Sequence, residues 1–542
     1  MPQNLVHFNP TPAELRSTVL ATFSHPHFVK HVRLVSTVLN HVPPLKTGIV
    51  KRGLKLIGLL VLVLAIVVIV RTFLVPSKQV AAVQPSAVRI DPQKAARDLS
   101  GAIPFQTISW EEGGTSEQKT STQEAFVGFH TYLGKTFPQV YAKLPHETVG
   151  ANNLLFTWQG SNSALKPMLL MGHQDVVPIE SGTEQKWTHP PFSGAIAEDM
   201  IWGRGTMDDK VTVVGVLEAV DALLAANFQP NRTVYLAFGQ DEEIGGLQGA
   251  ERIGQLLKGR GVEIEFLQDE GGLITKGMVP GVSAPVAVIG TSEKGYLSLV
   301  LSVDMEGGHS SMPPKESSIG LLSEAVHRVE TNPMPPHVHG PVGQFLDYAA
   351  GSASFPLNSV FKNMWLFAPV VQQVLASSPD TNALLRTTAA PTIFRAGAKD
   401  NIMPSRAEAV VNFRILPGDT IASVTEHVRR VVHDPRIRLE PISGEPPSEP
   451  SKQSSPESPN FKRLQRTLAQ IYPEAVSVPF VYIAASDTKH YAPITGDVYR
   501  FLPILAETAD LERIHGTNER IAVQNFARAV QYYAQLIRNA SE

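Results

Sequence analysis

The chain has 542 residues, and its 47 basic and 50 acidic side chains give a formal net charge of −3. That balance argues against nucleic acid as a partner, because duplex-binding proteins normally carry a basic excess. The length predicts two or three domains. Cysteine is absent from the sequence, which excludes disulfides, thiolate zinc sites and a cysteine nucleophile. Any protein-bound metal must therefore be held by His, Asp and Glu side chains.

An apolar segment near the N-terminus predicts a membrane span. Residues 56–70 carry no charge, and the apolar character continues beyond Arg71 to Pro76. This makes about 20 residues, enough to cross a hydrocarbon core of ~30 Å as a helix. Basic residues crowd the N-terminal flank, at Lys46, Lys51, Arg52 and Lys55. By the positive-inside rule, we predict a cytosolic segment at 1–53, an anchor helix at 54–75 and the remainder in a lumen or outside the cell.

After a short linker at 76–95, the chain alternates apolar runs with amphipathic helices, the pattern of an α/β fold. Residues 167–172, 233–238 and 263–267 predict buried strands, and a helix with apolar residues at helical spacing lies between the first two. From about 291 to 417 the runs alternate as antiparallel strands do. We therefore predict a catalytic domain in two parts, 96–290 and 418–542, with a smaller domain inserted at 291–417. Two sequons, at Asn231 and Asn539, would face glycosylation enzymes in a lumen.

Clusters of His, Asp and Glu follow the predicted strands or precede a helix. The sequence contains His173-Gln-Asp175, Asp208-Asp209, Asp241-Glu242-Glu243, Asp269-Glu270 and a late histidine, His515. Each cluster by itself has an ordinary interpretation, such as a surface hydrogen-bonded pair, an acidic helix start or a solvated turn. Strand ends of an α/β sheet meet at one crevice, however. Taken together, these side chains are the ligands of a zinc site that lacks cysteine.

The order and residues of these five motifs resemble the co-catalytic zinc metallopeptidase family of glutamate carboxypeptidase, aminoacylase and carboxypeptidase S. The resemblance covers roughly residues 100–540. Within the family the sequence is most similar to vacuolar carboxypeptidase S and to secreted relatives that handle N-fatty-acyl amino acids, given the anchor and the segments 391–397 and 485–491. The resemblance implies a zinc-binding α/β domain, an inserted smaller α+β lid domain, two zinc ions per subunit and a vacuolar, lysosomal or secretory location.

The resemblance also implies roles for the motif residues. Asp208 would bridge both ions, Glu242 would be the general base and Asp175 would fix the tautomer of the first metal-binding histidine. The family varies between the first and second acid of the fourth cluster, so Glu270 stays an alternative to Asp269. The implied metal ligands are His173, Asp208, Glu243, Asp269 and His515.

Three residues of the insert complete the implied site. His309, in Gly-Gly-His-Ser-Ser, resembles the lid histidine that stabilises the developing oxyanion, although a polar turn is the alternative. Asn401 and Arg414 resemble residues that grip substrate, and the fork of Arg414 suits a free carboxylate, with a structural salt bridge as its alternative. Family members take some lid contacts from a second subunit, which implies a homodimer through the lid. Apolar residues between 342 and 367 predict either an acyl-chain groove or packing of the lid core.

Taken together, the sequence predicts a membrane-anchored dinuclear zinc hydrolase. It would cleave the amide bond next to a C-terminal amino acid with a free carboxylate, on short peptides, by metal-activated water and a Glu base. The alternative substrate is an N-acyl amino acid, hydrolysed or synthesised at the same site. Two further hypotheses remain: a catalytically silent membrane-anchored binding protein, and a soluble cytosolic aminoacylase whose apolar segment is not an anchor.

Overall fold

A computed structural model describes residues 47–81, 83–110, 114–443 and 446–542. The chain divides into two units, Met1–Leu74 and Val75–Glu542. The described part of the first unit is one helix, α1 (Thr47–Leu74). Its segment Arg52–Leu74 is long and apolar enough to cross a membrane by length and composition, so the predicted helix is present and its membrane insertion stays a prediction. The predicted cytosolic segment lies almost wholly outside the described residues.

The second unit contains both helices and strands in alternation. Its helices are α2 (Pro92–Ala102), α3 (Ser116–Thr136), α4 (Pro138–Lys143), α5 (Lys210–Ala225), α6 (Ala250–Gly259), α7 (Ser318–Thr331), α8 (Pro341–Ala349), α9 (Leu357–Lys362), α10 (Met364–Leu375), α11 (Pro379–Leu385), α12 (Ile421–Val432), α13 (Pro459–Ile471), α14 (Thr508–Leu511) and α15 (Val523–Ala540). Its strands are β1 (His146–Val149), β2 (Asn153–Trp158), β3 (Met168–His173), β4 (Ile196–Ala197), β5 (Met200–Trp202), β6 (Val234–Gly239), β7 (Ile264–Thr275), β8 (Val286–Glu293), β9 (Gly295–Asp304), β10 (Gly308–His309), β11 (Thr388–Ala396), β12 (Ile402–Met403), β13 (Arg406–Ile415), β14 (Arg438–Pro441), β15 (Val476–Tyr482), β16 (Thr495–Ala506) and β17 (Arg520–Ala522).

The main sheet has eight strands in the order β1-β2-β6-β3-β7-β16-β8-β15. Its centre is parallel, with β3 paired to β6 and β7, and β16 paired to β7. Alternate residues of β3 point to opposite faces: Leu170 belongs to the core shared with α5 and α15, whereas Leu169 packs with Ile253 of α6. The sheet is therefore covered on both faces, which explains why its strands read as continuous apolar runs. The predicted α/β fold is confirmed.

A second, antiparallel sheet has four strands in the order β11-β13-β9-β14. One face carries a separate core in which Leu301 of β9 packs with Leu322 of α7 and Val428 of α12. The antiparallel strands predicted between about 291 and 417 are present and include the pair β9 and β13. Because α12 and β14 follow residue 417, this sheet includes chain beyond the predicted insert at 291–417. The role of the insert as a lid stays a prediction.

The apolar residues between 342 and 367 are divided between the core and the surface. Phe345 of α8 meets Phe480 of β15 with ring centroids 6.3 Å apart, and Tyr348 meets Phe461 at 5.7 Å. These rings pack against the main sheet and its helices, in agreement with the packing interpretation for this part of the segment. Phe355, in contrast, is 81% exposed.

The segment predicted as a linker is bound along the body where it is described. Gln79 accepts a hydrogen bond from the backbone N–H of Ser477 at 3.0 Å and donates to the Ser477 carbonyl at 2.9 Å. Further along, the N–H of Ser86 donates to the carbonyl of Gln470 at 3.2 Å. The described residues of this segment form no helix or strand, as the composition indicates, but hydrogen bonds hold them against the second unit. We call residues 77–90 the strap.

The structure corrects one of the two sequon assignments. Asn539 is buried, and its side-chain amide donates to Thr467 Oγ1 at 2.8 Å and to Gln470 Oε1 at 2.7 Å. A glycan has no room at this amide in the folded chain, so Asn539 is not an acceptor there. Asn231 is exposed and stays a candidate.

Candidate metal centre

Three neighbouring strands of the main sheet bring three of the five predicted ligands, His173, Glu243 and Asp269, to the same end of the sheet. Strand β3 ends at His173, and β6 ends at Gly239, just before the acidic turn that contains Glu242 and Glu243. Strand β7 carries Asp269 and Glu270 where its pairing with β16 shifts register. Register breaks re-aim side chains and are frequent beside active sites. The carboxyl ends of parallel strands therefore converge here, as the sequence predicts.

His173 lies at the centre of this cluster and is almost fully buried, with 1% of its surface exposed. Its Nε2 atom is 3.0 Å from Asp208 Oδ1 and 3.5 Å from Glu270 Oε1. Its Nδ1 atom is 3.0 Å from the carbonyl of Asp175 and 3.3 Å from Asp175 Oδ1. Burial disfavours the charged imidazolium, but Glu270, Asp175 and Asp208 outweigh it and raise the pKa of His173 well above its ordinary value.

Asp208 connects the two histidines of the predicted site. Its Oδ1 atom faces His173, and its Oδ2 atom is 2.9 Å from His515 Nε2. His515 Nε2 is also 3.2 Å from Glu243 Oε2. The two hydrogen-bonded carboxylates, Asp208 first and then Glu243, raise the pKa of His515 to about 10 despite its partial burial. A carboxylate with one oxygen toward each histidine has the arrangement that a bridging ligand needs.

Several carboxylate oxygens in the cluster are buried without a hydrogen-bond partner among the described residues. These oxygens are Asp209 Oδ1, Glu243 Oε1 and Asp269 Oδ2. Leaving a buried acceptor unsatisfied is costly, and more so for a charged group. Two sets of residues could each hold an ion, because the ligand atoms within each set all lie within 4.8 Å of one another. The sets are His173-Asp208-Glu243 and His173-Asp209-Glu270. The donor set of imidazole and carboxylate fits divalent zinc, which would satisfy these oxygens.

The fourth cluster presents both of its acids to the site in different ways. Glu270 Oε1 faces His173 at 3.5 Å, whereas Asp269 has a buried and unpartnered Oδ2. Burial raises the pKa of Asp269 to about 7, against the opposing backbone hydrogen bond and the charge of His173. Asp269 and Glu270 therefore both remain candidates for the ligand.

Asp175 positions more of the site than the sequence predicts. It is fully buried, and besides His173 its carboxylate accepts backbone N–H groups from Glu242 and Glu243 at 3.2 Å each, and the hydroxyl of Ser109 at 2.6 Å. The adjacent glutamates thus start a 3-10 turn whose orientation depends on one carboxylate. Burial, and then the charges of Glu270, Asp487 and Glu243, raise the pKa of Glu242 well above its ordinary value. Such a carboxylate is suited to accept a proton.

Sequence reasoning missed a second supporting pair, Arg204 and Glu519. Glu519 Oε2 accepts from Arg204 Nη1 at 2.5 Å, and both side chains are buried. Glu519 Oε1 accepts the backbone N–H groups of Gly205 at 3.0 Å and Met207 at 2.8 Å. This carboxylate therefore ties the loop before Asp208 to the segment that carries His515. Asp209 was missed too, and its Oδ2 accepts the backbone N–H of His173 at 3.3 Å. No spacing signal in the sequence indicates these contacts.

The predicted residues of the insert lie elsewhere. His309 and Asn401 are exposed on and beside the two-stranded sheet of β10 and β12, where the N–H of Ser310 donates to the Asn401 carbonyl at 3.2 Å. The guanidinium of Arg414 lies 4.9 Å from the ring centre of Tyr296. Within the described residues, no hydrogen bond or ion pair joins any of the three to the histidine and carboxylate cluster. Lys294, near Arg414, is buried, and burial followed by the charge of Arg414 lowers its pKa to about 8.

The main sheet places His173 and several buried carboxylates at its strand ends, with His515 beside them on a loop. This arrangement is typical of a metal-dependent hydrolase. The family model described as Peptidase family M20/M25/M40 matches residues 169–539. The chain therefore belongs to this peptidase family, an enzyme family of metallopeptidases and related amidohydrolases, and the resemblance read from the motifs is confirmed.

Individual relatives agree with this assignment. The chain is 42% identical over 449 residues to "Probable carboxypeptidase S-like 2" of Dictyostelium discoideum, covering 82% of this chain and 85% of that protein. It is 42% identical over 446 residues to mouse "N-fatty-acyl-amino acid synthase/hydrolase PM20D1", covering 82% and 87%. Among solved structures, the M20 family metallo-carboxypeptidase Sso-CP2 from Sulfolobus solfataricus matches with a TM-score of 0.59 and 18% identity, over 83% of this chain and 100% of that one. The structural match supports the fold.

Proposed function

We propose that this protein is a membrane-anchored dinuclear zinc hydrolase that cleaves an amide bond next to an amino acid with a free carboxylate. The observation that carries the proposal is Asp208 between His173 and His515, at 3.0 and 2.9 Å, among buried carboxylate oxygens that have no hydrogen-bond partner in the described part of the chain. The residues that would hold the two ions are His173, Asp208, Glu243, Asp269 and His515, with Glu270 as the alternative to Asp269. When bound, the ions would lower the pKa of water and polarise the scissile carbonyl.

The protein's own side chains have separate tasks in this mechanism. Glu242 takes a proton from the attacking water and delivers it to the leaving nitrogen, a task for which its raised pKa suits it. Asp175 positions Glu242 through the backbone N–H group at 3.2 Å and orients His173 through Nδ1. Arg414 would bind the substrate carboxylate in a bidentate manner.

The substrate proposed first is a short peptide, as for a carboxypeptidase S-like enzyme. The relatives named for carboxypeptidase S-like and for N-fatty-acyl-amino acid activity are equally similar to this chain, at 42% identity each. An N-acyl amino acid is therefore the alternative substrate. Since a catalyst accelerates both directions, the same site would also synthesise such compounds when products accumulate.

The insert supports a homodimer in which a second copy completes the site. His309 and Asn401 are exposed and away from the cluster of their own chain. Strand β11 is an edge of the four-stranded sheet, with Ile393 37% and Phe394 46% exposed. An exposed apolar edge strand is suited to pair with another chain. In this proposal the lid would carry both the dimer contact and the residues offered to the partner's site.

The anchor proposal depends on α1. The segment Arg52–Leu74 would span the bilayer, and the flanking positive charge would keep its N-terminal side in the cytosol. The second unit would then lie in a vacuolar, lysosomal or secretory lumen or outside the cell. Resistance of the full-length chain to alkaline carbonate extraction from membranes tests the span, and release into the supernatant would favour a soluble aminoacylase.

The decisive experiment measures turnover and metal content in one preparation of the full-length chain in detergent. The substrates are a panel of dipeptides and N-acyl amino acids, each with and without a chelator. We expect chelator-sensitive hydrolysis, about two zinc ions per chain, and a panel preference that selects the substrate class. Bound zinc without hydrolysis of either class would favour the silent binding protein, and absence of bound metal would contradict the proposed site.

A pair of variants tests the general base. Glu242→Gln keeps the size of the side chain but removes its basicity, so we expect kcat to fall by about 10²–10⁴ while metal content stays unchanged. The matched control is Glu251→Gln on α6, where the carboxylate only accepts a hydrogen bond from Gln255 at 2.8 Å. Full activity of the Glu242 variant would contradict its proton-transfer role.

A further inference from the structure

A group of apolar side chains on the second unit is exposed to solvent. Its members are Phe355, 81% exposed, and three residues of α10, namely Trp365 at 54%, Val370 at 60% and Val374 at 63%. We call these four residues the apolar patch. Residues 363–379 include no charged side chain, and Val371 of the same helix packs inward. Helix α10 therefore has apolar side chains exposed to solvent as well as apolar side chains packed in the core.

The patch is on the same group of helices that receives the first residues of the second unit. Val371 of α10 belongs to one core with Val342 and Leu346 of α8. Gln79 Nε2 donates to the carbonyl of Tyr348 at 3.0 Å, and Lys78 Nζ lies 4.0 Å from Asp347 Oδ2. Both Tyr348 and Asp347 belong to α8. The start of the strap is thus fixed to the helices that present the patch.

Chain length then limits how far this attachment point lies from the end of the apolar helix. A Cβ atom on Gly351 would come within 2.8 Å of Ser77 Oγ, so Ser77 packs closely against the residue that follows α8. The segment Arg52–Leu74 ends three residues before Ser77, and three extended residues span at most about 10 Å. If that segment crosses a bilayer, chain connectivity alone keeps Ser77 within about 10 Å of the end of the span. Phe355 is only four residues further along the chain.

We propose that the apolar patch docks on the surface of the bilayer that carries the chain's own anchor. This inference rests on the anchor in the proposed function. An apolar helix face with a tryptophan, lying in the plane of the interface, buries its side chains at the boundary between headgroups and acyl chains. Trp365 is suited to that depth because its ring is apolar and its N–H donates to Asn363 Oδ1 at 3.2 Å. Docking would hold the catalytic body against the membrane, where substrates with an acyl chain accumulate.

The absence of cysteine from the sequence permits a direct test in the full-length chain. A single cysteine at Val374 is labelled with the environment-sensitive fluorophore NBD, and the chain is reconstituted in nanodiscs of phosphatidylcholine with or without doxyl-labelled lipid. The matched control is Val127→Cys on α3, because Val127 is also a helical valine and is 57% exposed. Helix α3 lies near the β1–β2 side of the main sheet, because Gln123 Nε2 donates to Oδ1 of Asn152, the residue before β2, at 2.9 Å. Helix α8 packs on β15, the strand at the opposite edge of that sheet.

We expect the doxyl lipid to quench the label at position 374 severalfold more than the label at position 127. Equal and weak quenching of both labels, in a chain that resists carbonate extraction, would overturn the docking proposal alone. A chain that carbonate releases would overturn the anchor and the docking proposal with it. A blue-shifted label at 374 that escapes the doxyl lipid and depends on protein concentration would assign the patch to a second copy of the chain, which also contradicts membrane docking. Phe355→Cys provides a second labelled position and is expected to behave as Val374→Cys.

Discussion

The carboxylate of Asp175 accepts the backbone N–H of Glu242 at 3.2 Å while its other contacts hold His173, with Oδ1 3.3 Å from Nδ1. The residue proposed to move the proton and a residue proposed to bind metal are thus positioned by one buried side chain. Partners that orient metal ligands typically contribute 10–100-fold to metal affinity or activity. Here the same partner also sets the position of the base.

Asp175→Asn is expected to weaken both functions. The N–H groups of Glu242 and Glu243 each donate to one oxygen of the Asp175 carboxylate. The amide keeps the size of the side chain but replaces one of these two acceptors with a donor. We expect zinc affinity to fall by about 10–100-fold, and kcat to remain reduced when zinc is saturating. Metal titration and saturating-zinc kinetics measure the two effects. Asp199→Asn, at an exposed position, is the control, and normal kcat at saturating zinc in Asp175→Asn would contradict the positioning role.

The fourth cluster is resolved by comparing Asp269→Asn with Glu270→Gln. We expect the Asp269 variant to bind one zinc ion per chain instead of two, because the buried Oδ2 of Asp269 has no hydrogen-bond partner among the described residues that could replace the ion. The Glu270 variant should keep both ions at reduced affinity, since Glu270 faces His173. Metal content after dialysis against a weak chelator measures the difference. The reverse result would make Glu270 the ligand.

Glu519→Ala should destabilise the fold. It leaves Arg204, which is 2% exposed, as a buried charge without its partner and removes the acceptor for three backbone N–H groups. Removing one member of a buried ion pair costs about 3–5 kcal/mol, to be measured by denaturant unfolding. Glu512→Ala, an exposed change in the same segment, should have little effect. Equal stability of the two variants would show that the Arg204–Glu519 pair does not support the loop.

The pH dependence of stability should carry a contribution from Glu218 of α5. Burial raises its pKa to about 7 from an ordinary value of 4.5, although Lys94, 2.6 Å away, opposes the shift. Between these two values the folded chain keeps a proton that the unfolded chain releases, so this group makes unfolding easier as pH rises from 4.5 to about 7. The contribution is absent below that window and constant above it.

Glu218→Gln removes this titration. The melting temperature of the wild type should therefore fall relative to that of the variant as pH rises from 4.5 to about 7, and the difference should be constant at higher pH. Thermal unfolding of both chains across this range, at fixed zinc concentration, gives the comparison. Parallel curves through the window would mean that Glu218 titrates normally in the folded chain.

The sequence by itself determined three central strands of the main sheet, β3, β6 and the first part of β7, and the identity of the clustered acids and histidines. Continuous apolar runs predict strands buried on both faces, and β3 and β6 occur within a residue or two of their predicted bounds. Ligand chemistry follows from residue type, and the convergence of strand ends follows from parallel topology. These inferences depend on local periodicity and general fold rules, so one sequence suffices for them.

Only the tertiary structure decided which side chains support the metal site and where the strap binds on the second unit. Arg204 and Glu519 are 315 positions apart in the chain, and the N–H groups that Asp175 binds belong to a different strand end. The composition of the strap predicts a linker. It does not indicate that the polar side chains of the strap bind elements far away in the sequence, as Gln79 binds Ser477. Contacts of this kind depend on the path of the whole chain and on the space that packing leaves. A local pattern contains neither, which is why the supporting residues and the exposure of the apolar patch emerge only from the folded molecule.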